Sequence, residues 1–303
     1  MKKILIIYFT QTGQLRQIVD AITEPLINDC QFFFEELKPV PAFPFPWTGS
    51  SFFQAFPESV KEIPCELEPL KIDTTIDYDL VILAYQVWYL SPSIPINSFL
   101  KSKEAGKILN GKPVITVLGV RNMWIMAQER VKEIIAKAGG KHVGNIVMAD
   151  PASNLTSVIT IVRWMMKGEK EPFRWMGKNF PAAGVPDEEI RRGGEYGKII
   201  MYYVICNNYQ DLQPALVNAG AVKVDPVLCM IEKTGKRIFG IWSRLVLAKG
   251  AYNDPAREWR LTAFKYYLFA VIYLISPIVA GINRLMFFFN PGAARKIVKR
   301  YSE

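Results

Sequence analysis

Thr10-Gln11-Thr12-Gly13-Gln14-Leu15 is the stretch whose residue types are suited to holding an anion. Two hydroxyls and a glycine fill a short turn after an unbroken apolar, β-rich run, Ile4 to Phe9. Past the turn, Leu15, Ile18, Val19 and Ile22 recur at helical spacing. A strand that turns through hydroxyls into a helix presents backbone N–H groups at the positive end of the helix dipole, where a phosphate binds. The plainer alternative is that Thr10 and Thr12 only cap the helix. Two later loops carry further chemistry: Tyr85-Gln86-Val87-Trp88-Tyr89 with Ser91-Pro92, and Gly119-Val120-Arg121-Asn122-Met123-Trp124.

The elements that must position these loops are legible as buried strands alternating with helices. Leu80–Ala84, Val114–Leu118 and Val143–Met148 repeat the wholly apolar pattern of the first strand, and Gln31–Leu37 is short and strand-like. Helices are expected over Leu15–Ile27, from Ile96 to Leu100, and over Ile125–Ala138, the last closed by Gly139-Gly140. This alternation defines an α/β class with an open parallel sheet. All three loops then leave the carboxyl ends of their strands and converge on one side of the sheet, where open α/β folds bind ligands. That convergence is the strongest inference the pattern allows.

Other segments leave alternatives open. Lys38–Pro46 holds four prolines and is neither helix nor central strand. Residues 47–72 are an excursion with Phe52, Phe53 and Phe56, read as a loop packing aromatics on the sheet edge or as a ligand lid. Between Asp150 and Gly193, Trp164, Met165, Met166, Trp175 and Met176 form either irregular core packing or the wall of an apolar pocket. Ile190–Ala219 is expected to be helical with an interruption at Pro214, and His142, at a strand entry, is expected to be exposed.

Composition sets the class. Half of the 303 residues are hydrophobic, so the chain is globular, and its four scattered cysteines suit neither a zinc site nor a disulfide framework; no metal site is expected. The N-terminus runs straight into a buried strand, which points to a cytoplasmic protein. The net charge of +9 is concentrated late, around the uncharged run Tyr266–Asn283. That placement favours an anionic membrane face over nucleic acid. At ~1.5 Å per residue the run reaches about 27 Å, just short of a ~30 Å hydrocarbon core. Pro277 is expected to kink it. The tail is therefore a helix lying in the membrane face, a single span, or a buried core or homodimer-interface helix. Three parts follow: residues 1–150, 151–254 and 255–303.

At these loops the chain resembles the flavodoxin-like FMN-binding proteins. Thr10-Gln11-Thr12-Gly13-Gln14 is similar to their phosphate loop, with Leu15 where a hydroxyl residue is usual. Gln86-Val87-Trp88-Tyr89 is similar to the loop whose aromatics flank the flavin, and Gly119 with Arg121-Asn122-Met123-Trp124 to the third flavin-contacting loop. The resemblance implies a doubly wound five-stranded parallel sheet of order 2-1-3-4-5 with a helical C-terminal extension, and FMN as cofactor. Phe45-Pro46-Trp47, Leu90–Pro95 and Asn154–Thr160 extend a narrower resemblance to the flavodoxin-like proteins of bacterial dialkylresorcinol pathways. That implies an FMN-dependent oxidoreductase that aromatises a dialkyl cyclohexanedione, working beside a ketosynthase or acyl carrier protein. Arg121 would steady an enolate oxygen, and Tyr85 and Tyr89 are the candidate bases. An NAD(P)H-quinone reductase, a flavodoxin-type electron carrier and a flavin-less scaffold remain as alternatives.

Overall fold

The computed structural model describes residues 1–303. Five parallel strands form one sheet: β1 (Lys2–Tyr8), β2 (Cys30–Glu36), β3 (Leu80–Tyr85), β4 (Pro113–Val120) and β5 (Lys141–Ala149), in the order β2-β1-β3-β4-β5. This is the flavodoxin-like doubly wound order, whose switch point lies between β1 and β3. Every residue from Ile4 to Ile7 is fully buried because both faces are covered. Leu5, Ile7 and Phe9 face one core, while Ile4, Ile6 and Tyr8 face the other.

The first core is closed by α3 (Ile94–Leu100), α4 (Lys103–Leu109) and α5 (Ile125–Lys137). The second is closed by α1 (Gln14–Thr23), α8 (Gly193–Cys206) and α9 (Leu212–Asn218). The remaining helices are α2 (Gly49–Lys61), α6 (Asn154–Lys167), α7 (Asp187–Arg191) and α10 (Pro226–Leu247), followed by α11 (Glu258–Ala270), α12 (Ser276–Phe289) and α13 (Pro291–Ser302).

Two local expectations are corrected, at 47–72 and at Pro214. The excursion at 47–72 is not a loop on the sheet edge but contains α2, nucleated by a Thr48–Ser51 capping box despite Pro57 in its interior. After Asp150 the chain forms α6, which Ser153 caps, its side chain accepting from the Thr156 N–H. The break between α8 and α9 falls at left-handed Asn207, not at Pro214, which sits in the first turn of α9 where its missing N–H costs little.

The tail is one helix of 35 residues, Pro255–Phe289, about 52 Å long, and only 6% of its most apolar window is buried. A buried core helix is thereby excluded. It runs through Pro277 by way of a π-helical stretch, Val271–Ile275, an adjustment that accommodates the missing N–H and the ring. Its start is anchored by Arg257, whose guanidinium donates to both carboxylate oxygens of Glu58 on α2 at 2.7 and 2.9 Å. Arg257 is 0% and Glu58 9% exposed. Beside the pair, Phe56 stacks on Phe264 with ring centroids 3.7 Å apart. After the long helix, α13 returns to the body, where Tyr301 joins the first core.

Replacing Glu58 by Ala strands a buried cation and should cost about 3–5 kcal/mol. The double replacement Glu58→Met, Arg257→Leu should cost much less. Chemical denaturation of the two variants beside the parent, with limited proteolysis of the tail, reads the difference.

Candidate functional site

The turn after β1 begins α1 at Gly13, whose φ of +82° is left-handed, a conformation that favours glycine. Thr10 Oγ1 accepts from the Gly13 N–H at 3.1 Å, and Thr12 Oγ1 lies 3.4 Å from the Gln14 N–H. Beyond these two contacts no side chain caps the helix, so the N–H groups of Leu15 and Arg16 remain free for an anion. Leu15 offers no hydroxyl here; its side chain is buried against β4, within reach of Gly119.

The loop is clasped from the second half of the chain. The Gln14 side chain donates to the Val185 carbonyl at 2.9 Å and accepts from the Val185 N–H at 3.0 Å. Gly184 makes this possible: a Cβ there would lie 2.6 Å from the Trp164 ring and 2.7 Å from Gln14 Oε1. Gln11 is held in turn by the Pro44 carbonyl at 2.9 Å.

The second loop is a tight hairpin, Val87-Trp88 pairing antiparallel with Ser91-Pro92. Its two turn residues, Tyr89 and Leu90, both have positive φ, 49° and 59°. Asn-Gly is the usual pair in such turns, so this backbone carries strain that its surroundings must hold. The hold is visible in the Tyr89 hydroxyl, which donates to the Phe52 carbonyl at 2.6 Å. Trp88 is fixed edge-on among Phe9, Phe43 and Trp47. In the third loop, Arg121 Nη1 donates to Asn154 Oδ1 at 2.8 Å and to Ser157 Oγ at 3.1 Å. Burial lowers its pKa to about 10, partly offset by Asp150, so it stays cationic at neutral pH.

These loops border a single cavity of about 380 Å³. Of the residues singled out in the sequence, Gln11, Thr12, Gln14, Leu15, Gln86, Val87, Trp88, Tyr89, Gly119, Arg121 and Met123 line it. The others lie outside that lining. Thr10 and Gly13 shape the turn from behind, Trp124 packs in the first core, and Asn122 donates to Asn154 Oδ1 at 3.0 Å. Tyr85 is wholly buried, its hydroxyl donating to Gln128 Oε1 at 2.6 Å, and burial pushes its pKa well up. It cannot reach a ligand. Tyr89 does line the cavity, but burial raises its hydroxyl as well, and the bond to Phe52 occupies its proton. Neither tyrosine is placed to act as a base.

The wall also holds residues outside the three loops. Trp47, Phe52 and Phe53 come from α2 and its lead-in, and Val158, Ile161, Val162, Trp164 and Met165 from α6. Ile231, Gly235 and Phe239 come from α10, and Leu268, Phe269, Val271, Ile272 and Ser276 from the long tail helix. The aromatic grouping of 52 and 53 and the Trp164-Met165 pair were signals for part of this; nothing local marked the tail. Trp175 and Met176 lie on an exposed hairpin instead. Two buried polar atoms of the wall lack partners, the Trp47 Nε1 donor and the Gln86 Oε1 acceptor.

His142 is neither exposed nor near the cavity. Its Nε2 lies 2.9 Å from Thr116 Oγ1 and 3.2 Å from the Gln128 amide nitrogen. An amide nitrogen only donates, so Nε2 accepts and the ring is neutral. Burial, with Lys132 adding repulsion, lowers its pKa to about 3.

No protein-family model matches the chain, and no curated protein matches it. Among solved structures it is similar to a flavoprotein in complex with FMN from Lactobacillus acidophilus, at 18% identity and TM-score 0.40, over 48% of this chain and 93% of that one. It is also similar to the Fusobacterium nucleatum flavodoxin bound to flavin mononucleotide, at 19% identity and TM-score 0.35, over 67% and 98%. For oxidised flavodoxin 1 from Bacillus cereus the values are 14% and 0.34, over 65% and 95%.

Two expected outcomes follow from these contacts. Gly184→Ala should cost about 1–3 kcal/mol more than Gly177→Ala, since both have left-handed φ but only Gly184 is crowded; thermal melts give the difference. The neutral His142 should also steepen acid unfolding. Its folded pKa lies below the ordinary 6.5, so its contribution is present above pH 6.5 and lost as pH falls towards about 3. His142→Gln should flatten the stability curve over that window.

Proposed function

We propose that this chain is an FMN-binding oxidoreductase that removes two hydrogens from an apolar, alkyl-bearing cyclic diketone to give a resorcinol. The observation that carries the reading is the continuity of the cavity. One end is the uncapped helix N-terminus at Gln11–Gln14, and the other is a wall of apolar side chains, with Arg121 as the cation between them.

The residues present fit FMN. The free Leu15 and Arg16 N–H groups behind a left-handed glycine suit its phosphate, and the Leu15 side chain does not prevent this because the donors are backbone. The unpartnered Trp47 N–H and Gln86 carbonyl oxygen match the acceptor and donor edges of a flavin ring. When bound, oxidised FMN supplies the two-electron acceptor that aromatisation requires.

The chain's own part is binding, orientation and charge. Of the cavity's 32 lining residues 22 are hydrophobic, which suits alkyl chains and excludes water. A cyclic 1,3-diketone ionises readily by itself, so the site needs a cation for its enolate oxygen more than a strong base. Arg121 supplies that cation, and Asn154 and Ser157 set its direction through Nη1 while the other two nitrogens bond nothing in the protein. With FMN held in this cavity, the two electrons and two hydrogens lost by the ring would have an acceptor, and Arg121 would keep the oxygen anionic while one proton leaves to solvent.

Purified protein should take up FMN and release it on denaturation; a protein that stays colourless after incubation with FMN contradicts the reading. Anaerobic addition of a dialkylcyclohexane-1,3-dione should bleach the bound flavin, whereas bleaching by NADPH alone would make the chain a reductase. Arg121→Met should keep FMN and slow the bleaching by about 100-fold or more.

A further inference from the structure

The rim of the cavity is apolar and exposed. Phe45, Val162 and Phe269 each line the cavity and are also 37%, 41% and 38% exposed, so one edge of each faces the interior and the other faces outward. Phe269 belongs to the long tail helix. The same helix presents Leu274, Ile278, Ile282, Leu285, Phe288 and Phe289 to the outside, where Ile278 is 65% and Ile282 62% exposed. A mouth ringed by apolar side chains and continuous with a long apolar strip is costly in water.

Charge identifies what covers it. Residues 259–302 carry Arg260, Lys265, Arg284, Arg295, Lys296, Lys299 and Arg300 and no Asp or Glu. An apolar strip among cations alone is complementary to an anionic lipid surface, and a second copy of the same strip would repel it. The geometry favours lying in that surface over crossing it. Both ends of the helix are tied to one body, the start by the buried Arg257–Glu58 pair and the return helix α13 by Tyr301 in the core. Between them Ser276 and Phe287 are buried along a helix that packs on α10. A single span would tear these contacts apart.

We propose that the tail helix lies in the headgroup region of an anionic membrane leaflet and that the rim of Phe45, Val162 and Phe269 is a portal through which an alkyl-bearing ligand passes between bilayer and cavity without crossing water. The π-helical turn at Val271–Ile275, two of whose residues line the cavity, sits beside the portal, where its looser hydrogen bonding allows side chains to shift. The proposal rests on the reading of the cavity as an apolar-ligand site. Its tests use no flavin, so its failure is separable from failure of the FMN reading.

The full-length protein is sedimented with vesicles of phosphatidylcholine alone and of phosphatidylcholine with phosphatidylglycerol. Binding should require the anionic lipid and weaken with salt. Ile278→Asp with Ile282→Asp should reduce it about tenfold or more; both sites are exposed, and an unchanged melting curve confirms folding. Transfer of pentadecylresorcinol from the anionic vesicles is followed by quenching of pocket tryptophan fluorescence. At lipid concentrations that saturate binding, Phe269→Asp should slow transfer about tenfold or more per vesicle-bound protein. Three results would overturn the proposal. They are a protein that ignores anionic vesicles, one that instead forms a dimer protecting Ile278 and Ile282, and a Phe269→Asp variant that transfers the probe at the original rate.

Discussion

The buried ion pair between Glu58 and Arg257 is the contact on which the shape of the cavity depends. It joins residues 199 positions apart and fastens the start of the tail helix to α2. Two charges out of water are stable only together, so the pair enforces one docking and penalises any other. The stacked Phe56 and Phe264 rings beside it carry the same alignment forward. Because α2 supplies Phe52 and Phe53 and the tail supplies Leu268 to Ser276, this one junction sets the distance between opposite walls of the cavity.

The sheet supplies the complementary constraint. Its order brings three loops to one edge, and each loop is then fixed by a residue from elsewhere: Gln14 by Val185, Tyr89 by Phe52, Arg121 by Asn154. The strained Tyr89-Leu90 turn is tolerable because the surrounding aromatics over-determine it. A polar cradle, a cation and an apolar wall thereby share one enclosure. That combination is what the proposed flavin chemistry on a lipid-like ring would require, and a plain electron carrier has little use for the apolar wall.

Much of the sheet is legible in the sequence because strands buried on both faces are uninterrupted apolar runs. Ile4–Phe9 and Leu80–Ala84 have no competing reading. The loops were legible for the same reason, since each must follow its strand. What was hidden was held by long-range contacts. Pro57 disguised α2, whose capping box at Thr48 and Ser51 is a weak signal of two common residues. Tyr85 looked available because its loop was right, yet strand alternation turns its ring into the core to meet Gln128. The tail's apolar run was plain, but its role as a cavity wall was not. Nothing near residue 268 in the sequence announces a contact with the loops of the sheet.

The central claim is that a flavin and an apolar ring occupy one enclosure in contact. Titrating FMN-loaded protein with an alkylresorcinol, while recording the visible spectrum and measuring binding by equilibrium dialysis, tests it directly. The account predicts a saturable shift of the flavin bands that tracks ligand binding. An alkylresorcinol that binds while leaving the flavin spectrum unmoved would contradict it.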